Sequence, residues 1–250
     1  MKYNLENGSS IFSVYDDVTG KLETSSDTVI EETKIRRIKN MRDLFIDSTG
    51  FDDDMPLYFM FNGVYRKQHE SVFKKYQIRF EYTMIASTKI NGECIKTYGH
   101  IHGISPLTNK NYLEVYEILN GVGYIELFKY INEEVHVMMV LVQKGDSIII
   151  PSDYFHICIN IGFDPFIYSD LIIEKANSDY AHLKSMSGAP LFVTVNKEAE
   201  IEFKVNDKYR NNQLFIAHAT ADSVPWNDKQ NRTPLYARFI ANPESFSYLQ

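Results

Sequence analysis

Thr97-Tyr98-Gly99-His100-Ile101-His102 is the stretch from which the fold can be read. Its two histidines stand two residues apart, and on an extended strand such side chains leave by the same face. The hexapeptide lies within a succession of short apolar and aromatic runs at 77–88, 93–102, 112–119, 123–131, 134–142, 147–151, 156–161 and 166–174. Glycine, proline, asparagine and aspartate punctuate the runs, and the chain carries 17 Tyr and 16 Phe. Aromatic and β-branched side chains fit a pleated, half-buried surface. Strands at this pitch, with no alternation of strand and helix, predict an all-β sandwich, jelly roll or small barrel.

The 250 residues are 44% hydrophobic and 24% charged, enough apolar matter for a packed core. Against 33 Asp and Glu stand 26 Lys and Arg, a net charge of −7 with no basic block. That balance argues against nucleic acid or an anionic membrane surface as partner, because both are bound through concentrated positive charge. An anionic substrate must therefore be held by local contacts. Apolar stretches such as 135–143 fall well short of the roughly 20 residues of a membrane-crossing helix, and residues 1–6 form no apolar leader core, so a cytoplasmic location is expected. Cys94 and Cys158 belong to no CxxC pair and are expected as reduced, buried thiols.

Three segments are predicted: 1–76, carrying a helix that packs on the barrel; 77–190, the β core; and 191–250, a β-like extension or interface arm. The helix is expected over 33–47, where Ile35, Ile38, Met41 and Phe45 recur at spacings of three and four. Further β-like runs stand at 191–195 and 200–205, followed by a polar stretch over 222–234.

The chemistry-bearing residues cluster around the opening hexapeptide. Glu114 and Tyr116 share a face of another strand, and His156 enters a third strand with Cys158 and Asn160 on its side. Three imidazoles and a carboxylate make a mixed nitrogen and oxygen shell suited to a divalent transition metal, with coordination positions left open. Cys158 reads better as a small buried residue than as a ligand. Asn160 reads equally well as a turn-fixing amide. His69, His136, His182 and His218 have no partner at ligand spacing.

In order, Thr97-Tyr98-Gly99-His100-Ile101-His102, Glu114-Val115-Tyr116, Gly121-Val122-Gly123, Gly145-Asp146, Pro151, His156, Asn160-Ile161-Gly162, Asp164-Pro165-Phe166-Ile167 and Asp179-Tyr180 resemble the cupin superfamily. More narrowly, they resemble the archaeal-type cupin glucose-6-phosphate isomerases. Upstream, Ile35-Arg36-Arg37-Ile38 echoes that family's helix. The resemblance implies a double-stranded β-helix and a cytoplasmic homodimer acting in glycolysis and gluconeogenesis. It further implies a divalent transition metal (Fe, Mn, Zn, Ni or Co) on His100, His102, Glu114 and His156. Glu114 and Tyr180 would be catalytic, while Thr83, Thr97, Gly99, Tyr116 and Tyr58 would surround a small phosphorylated sugar.

Three departures bear on that expectation. Residues 105–109 lengthen the loop between His102 and Glu114, Ile172 and Ser178 stand where the family has tyrosine and histidine, and a tail extends from Asn206 onward. Lys89 or Lys96 could supply charge to a phosphate. The reaction implied is aldose–ketose interconversion by proton transfer between C1 and C2, with metal-assisted hydride transfer as the alternative. An Fe(II) cupin oxygenase and a non-catalytic sugar-binding cupin are the competing functions.

Overall fold

The structure is a computed structural model that describes residues 1–6, 10–228 and 233–250. Ten strands build two facing sheets: β1 Thr28–Arg37, β2 Pro56–Arg66, β3 Ile78–Ile85, β4 Glu114–Asn120, β5 Val122–Ile131, β6 Glu134–Gln143, β7 Ser147–Ile150, β8 Phe155–Asn160, β9 Phe166–Ile173 and β10 Leu214–Thr220. The larger sheet runs β7-β4-β9-β3-β2-β1, and the smaller β8-β5-β6-β10. The chain passes from one sheet to the other at Gly121, where φ is +80° and an added Cβ would sit 2.8 Å from the Pro165 carbonyl oxygen. Only glycine tolerates both demands. Asn132 and Glu133, both at positive φ, close the β5–β6 hairpin in a two-residue turn. The result is the jelly roll of the cupin fold.

Strand alternation sorts side chains into three apolar layers and one polar cavity. Ile118, Ile125, Leu127, Val140, Ile148 and Phe166 pack between the sheets. Behind the larger sheet, Phe80, Tyr82 and Met84 of β3 join Ile167 and Leu171 of β9 in a second core. Because those residues turn outward, Arg79, Glu81 and Thr83, with Tyr168 and Asp170, turn into the barrel. A third layer behind the smaller sheet packs Phe128, Val137 and Ile157 against Leu191, Val193 and Tyr209.

Most predicted runs coincide with strands, and two regions differ. The expected helix over 33–47 is reduced to Ile38–Met41 and a 3-10 turn at Arg42–Leu44. Residues 33–37 instead pair with β2. Backbone hydrogen bonds to a neighbouring strand outweigh a spacing pattern that only Ile38, Met41 and Phe45 use for burial, since Ile35 stays 37% exposed. The short helix nevertheless packs on the barrel core. Within 93–102, only Glu93–Cys94 and Ile101–His102 are regular strand. The intervening backbone follows the edge of β8 through Thr97 N–H to Cys158 O at 2.8 Å and His156 N–H to His100 O at 3.0 Å.

The ends of the chain close onto the barrel. Residues before 76 supply β1 and β2, and β2 pairs with β3, so the larger sheet continues across that boundary. The two β-like runs expected here, Leu191–Val195 and Ile201–Val205, pair as an antiparallel hairpin, and β10 adds a parallel strand to β6. Helix α1, Leu235–Ala241, was not anticipated; it buries Leu235, Tyr236 and Phe239 in the core behind the larger sheet. Within the polar stretch over 222–234, residues 229–232 lie outside the described residues. Among the described residues no helix is long and apolar enough to cross a membrane.

The Phe239 ring lies 4.9 Å from Phe73, centroid to centroid. Phe239→Ala is expected to cost about 3–5 kcal/mol of stability, read as a lowered urea midpoint. A loss below about 1 kcal/mol would show that the tail is not docked there.

Candidate metal centre

Backbone geometry brings the four expected donors together. Gly99, at φ +76°, turns the chain between Thr97 and His100, and a Cβ there would meet Ile157 Cγ1 at 2.3 Å. That turn keeps His100 opposite His156 across an antiparallel bridge. The longer loop after His102 folds back on itself, Ile104 pairing with Asn111, and delivers the Tyr112 carbonyl to His102 Nδ1 at 2.9 Å. A carbonyl only accepts, so Nδ1 carries the proton and the Nε2 lone pair faces the other donors.

One ligand atom from each of His100, His102, Glu114 and His156 lies within 4.8 Å of all the others. Glu114 Oε2 is 3.3 Å from His102 Nε2 and 3.6 Å from His156 Nε2. Two atoms that each bind one ion at about 2.1 Å are separated by roughly 3–3.5 Å, so these spacings fit a shared cation. His102 Nε2, Glu114 Oε2 and His156 Nε2 are buried with no hydrogen-bond partner. Desolvated lone pairs converging without donors are costly, and a divalent ion would satisfy all of them at once.

Electrostatics favour the ligating protonation states of His100, His156 and Glu114, whereas at His102 burial works downward and the Glu114 carboxylate outweighs it, raising that imidazole above its ordinary value. Burial, then the neighbouring His102, pushes His100 down to about 3. Burial, followed by His100 and His102, also drives His156 well below its ordinary value. Both are neutral imidazoles at neutral pH. At Glu114, burial works upward, but the neighbouring imidazoles, His102 foremost, outweigh it and hold the carboxyl below the usual range.

The cluster opens into a cavity of about 610 Å³. Thr83, Thr97, Gly99, Tyr116, Tyr58 and Tyr180 all line it, as do Ile172 and Ser178. Tyr180 arrives because Ser178 and Asp179 pair with His102 and Ile101, which places its ring 5.4 Å from that of His100. The Tyr58 hydroxyl accepts from Tyr98 N–H at 3.2 Å, and Thr97 Oγ1 accepts from Cys158 N–H at 3.0 Å. Each hydroxyl keeps its own proton to donate.

Other expectations are placed elsewhere. Lys89 spends its ammonium on the Asn160 and Gly162 carbonyls, and Lys96 is buried against Glu93 with Phe192 over it. Neither lysine reaches the cavity, because backbone and carboxylate acceptors close to them in space claim their charges first. Asn160 is a turn clamp, donating to Ile85, Ala86 and Asp164 carbonyls. Cys158 lies in the inter-sheet core. His69 meets Tyr236, His136 stacks on Phe215, His182 meets Tyr130 and His218 meets Phe203.

The cavity also contains Arg79, Glu81, Tyr168 and Asp170, which the sequence reading did not single out, and Arg36, which it named only within the segment likened to the family's helix. Stepping by two from Thr83 along its strand would have found Glu81 and Arg79.

A family model described as glucose-6-phosphate isomerase (GPI) matches residues 35–210. The glucose-6-phosphate isomerase of Pyrococcus abyssi (strain GE5 / Orsay) is 22% identical over 171 residues, covering 67% of this chain and 84% of the relative. That of Thermococcus litoralis is 24% identical over 188 residues, covering 73% and 91%. Among solved structures, oxalate decarboxylase from Bacillus subtilis superposes with a TM-score of 0.35 at 14% identity, over 49% of this chain and 27% of that one.

Reconstitution followed by elemental analysis is expected to find one divalent transition-metal ion per chain. His156→Ala should lose most of that ion while keeping the wild-type circular dichroism spectrum. Full occupancy in the folded variant would remove His156 from the site.

Proposed function

Because the chain belongs to the glucose-6-phosphate isomerase (GPI) family, whose model spans residues 35–210, we propose that it is a metal-dependent aldose–ketose isomerase. Its substrates are glucose 6-phosphate and fructose 6-phosphate or a related sugar phosphate. The observation that carries this reading is the convergence of His100, His102, Glu114 and His156 on one point at the wall of a polar cavity roomy enough for a hexose phosphate.

His100, His102, Glu114 and His156 would hold a divalent ion, which would supply Lewis acidity toward the sugar's carbonyl end. The remaining work belongs to side chains. Isomerisation requires removal of a hydrogen next to a carbonyl, and Glu114 is the base for that proton, returning it to the adjacent carbon. Its carboxylate is ionised and so open to a proton, although the neighbours that lower its pKa also weaken it as a base. Tyr180, beside His100 at the cavity wall, exchanges a proton with the sugar oxygen. The hydroxyls of Tyr58, Thr83, Thr97 and Tyr116 and the backbone at Gly99 hold the remaining oxygens of the substrate. The cavity wall at Ile172 and Ser178 is less polar than a tyrosine and histidine would make it, which bears on which sugar is accepted. The same reading places the protein in the cytoplasm as a homodimer serving glycolysis and gluconeogenesis.

Isomerisation without oxygen consumption is expected from the metal-loaded protein. Uptake of dioxygen with a small organic substrate would favour the oxygenase reading of the same donor set. Glu114→Gln should lower kcat at least about 100-fold at matched metal occupancy. Chelation should abolish turnover and re-addition of metal restore it; full activity in a verified metal-free sample would refute the account.

A further inference from the structure

The acidic chain has to meet an anionic substrate with charge placed locally, and three side-chain cations line the cavity besides its histidines: Lys34, Arg36 and Arg79. Lys34 is 2.7 Å from Glu32, and Arg79 Nε is 2.7 Å from Glu81 Oε1. Among the described residues, no carboxylate lies within ion-pair distance of Arg36. Its surroundings are tyrosines instead. Its Cζ lies 5.9 Å from the Tyr98 ring centroid and 5.7 Å from that of Tyr180, and it pairs in register with Tyr58 of the adjacent strand. Arg36 Nε is buried and makes no hydrogen bond. Aromatic faces orient a guanidinium without neutralising it.

The place of this cation relative to the metal centre matters as much as its charge. A single ring separates them, since Tyr180 contacts Arg36 on one side and His100 on the other. Thr97 and Gly99 flank Tyr98, the other ring against Arg36, and the Tyr58 hydroxyl accepts from Tyr98 N–H. Guanidinium, two donor-capable hydroxyls and the backbone at Gly99 thus share one wall. One ring away from the donor cluster, a wall with these donors suits a phosphomonoester.

Taking the isomerase reading as its basis, we infer that Arg36 is the phosphate anchor of the cavity, pairing with the terminal phosphate and setting the distance from it to the carbonyl end at the metal. A guanidinium grips a phosphate through two parallel N–H donors, which fixes orientation as well as position. Unphosphorylated sugar leaves that fork unpaired.

The test uses metal-loaded wild type, Arg36→Gln and Arg36→Lys, with metal content measured for each. For turnover, Arg36→Gln should raise KM for the sugar phosphate about ten- to hundredfold with a smaller change in kcat, and Arg36→Lys should fall between. Inorganic phosphate, the direct probe, should bind wild type measurably by calorimetry and bind Arg36→Gln at least tenfold more weakly. Unchanged KM and unchanged phosphate affinity in folded, metal-loaded variants would overturn the assignment while leaving the isomerase reading intact. Arg36-dependent phosphate binding in a protein that turns over no sugar phosphate would uphold the anchor and reject the isomerase. Should the variants fail to fold, phenylglyoxal labelling of wild-type Arg36, located by peptide mass spectrometry, should fall when phosphate is present. Equal labelling with and without phosphate would overturn the proposal.

Discussion

Buried lone pairs aimed at one another are the constraint around which this molecule is arranged. His102, Glu114 and His156 are almost wholly removed from solvent, and no protein donor satisfies the atoms they direct inward. Such a cluster is unfavourable by itself, so its surroundings must hold it. Rigid anchors do so: the Tyr112 carbonyl locks one imidazole, the backbone bridge between His100 and His156 sets the spacing of two more, and Glu114 sits on a strand paired on both sides. A divalent cation converts the same arrangement from a cost into a stabilising interaction.

The apolar layers explain how a small protein can bear this polar interior. Each strand of the larger sheet contributes its outer side chains to a core completed by helix α1 and the residues around it. Its inner side chains are thereby free to be carboxylates, hydroxyls and a guanidinium. Stability and chemistry occupy opposite faces of the same strands. The C-terminal tail acts at a distance, holding the back of the sheet on which Glu114 stands.

How much of this could be read beforehand depended on whether periodicity was visible. His100 and His102 were legible because a spacing of two is meaningful on extended backbone, and their partners followed from strands correctly recognised at Glu114 and His156. Arg36 was obscured because the end of β1 and the start of the short helix together mimic a continuous helical spacing through Ile35, Ile38 and Met41. Asp170 was hidden for another reason: every residue of β9 is buried, and a strand covered on both faces shows no alternation to betray which side is polar. Lys96 misled because its partner Glu93 is brought against it only by the folded turn. In α1, the apolar spacing of Leu235, Tyr236 and Phe239 was present, but the segment was read together with the strand-like runs before it as a β-like extension or interface arm.

The most direct examination of the central claim is anomalous diffraction from crystals of the metal-loaded protein soaked with a sugar phosphate. The account predicts a single anomalous peak at about 2.0–2.2 Å from a donor atom of each of His100, His102, Glu114 and His156, with the sugar's carbonyl end beside it. A peak bound by other residues, or a sugar lodged outside this cavity while the four donors remain metal-free, would contradict it.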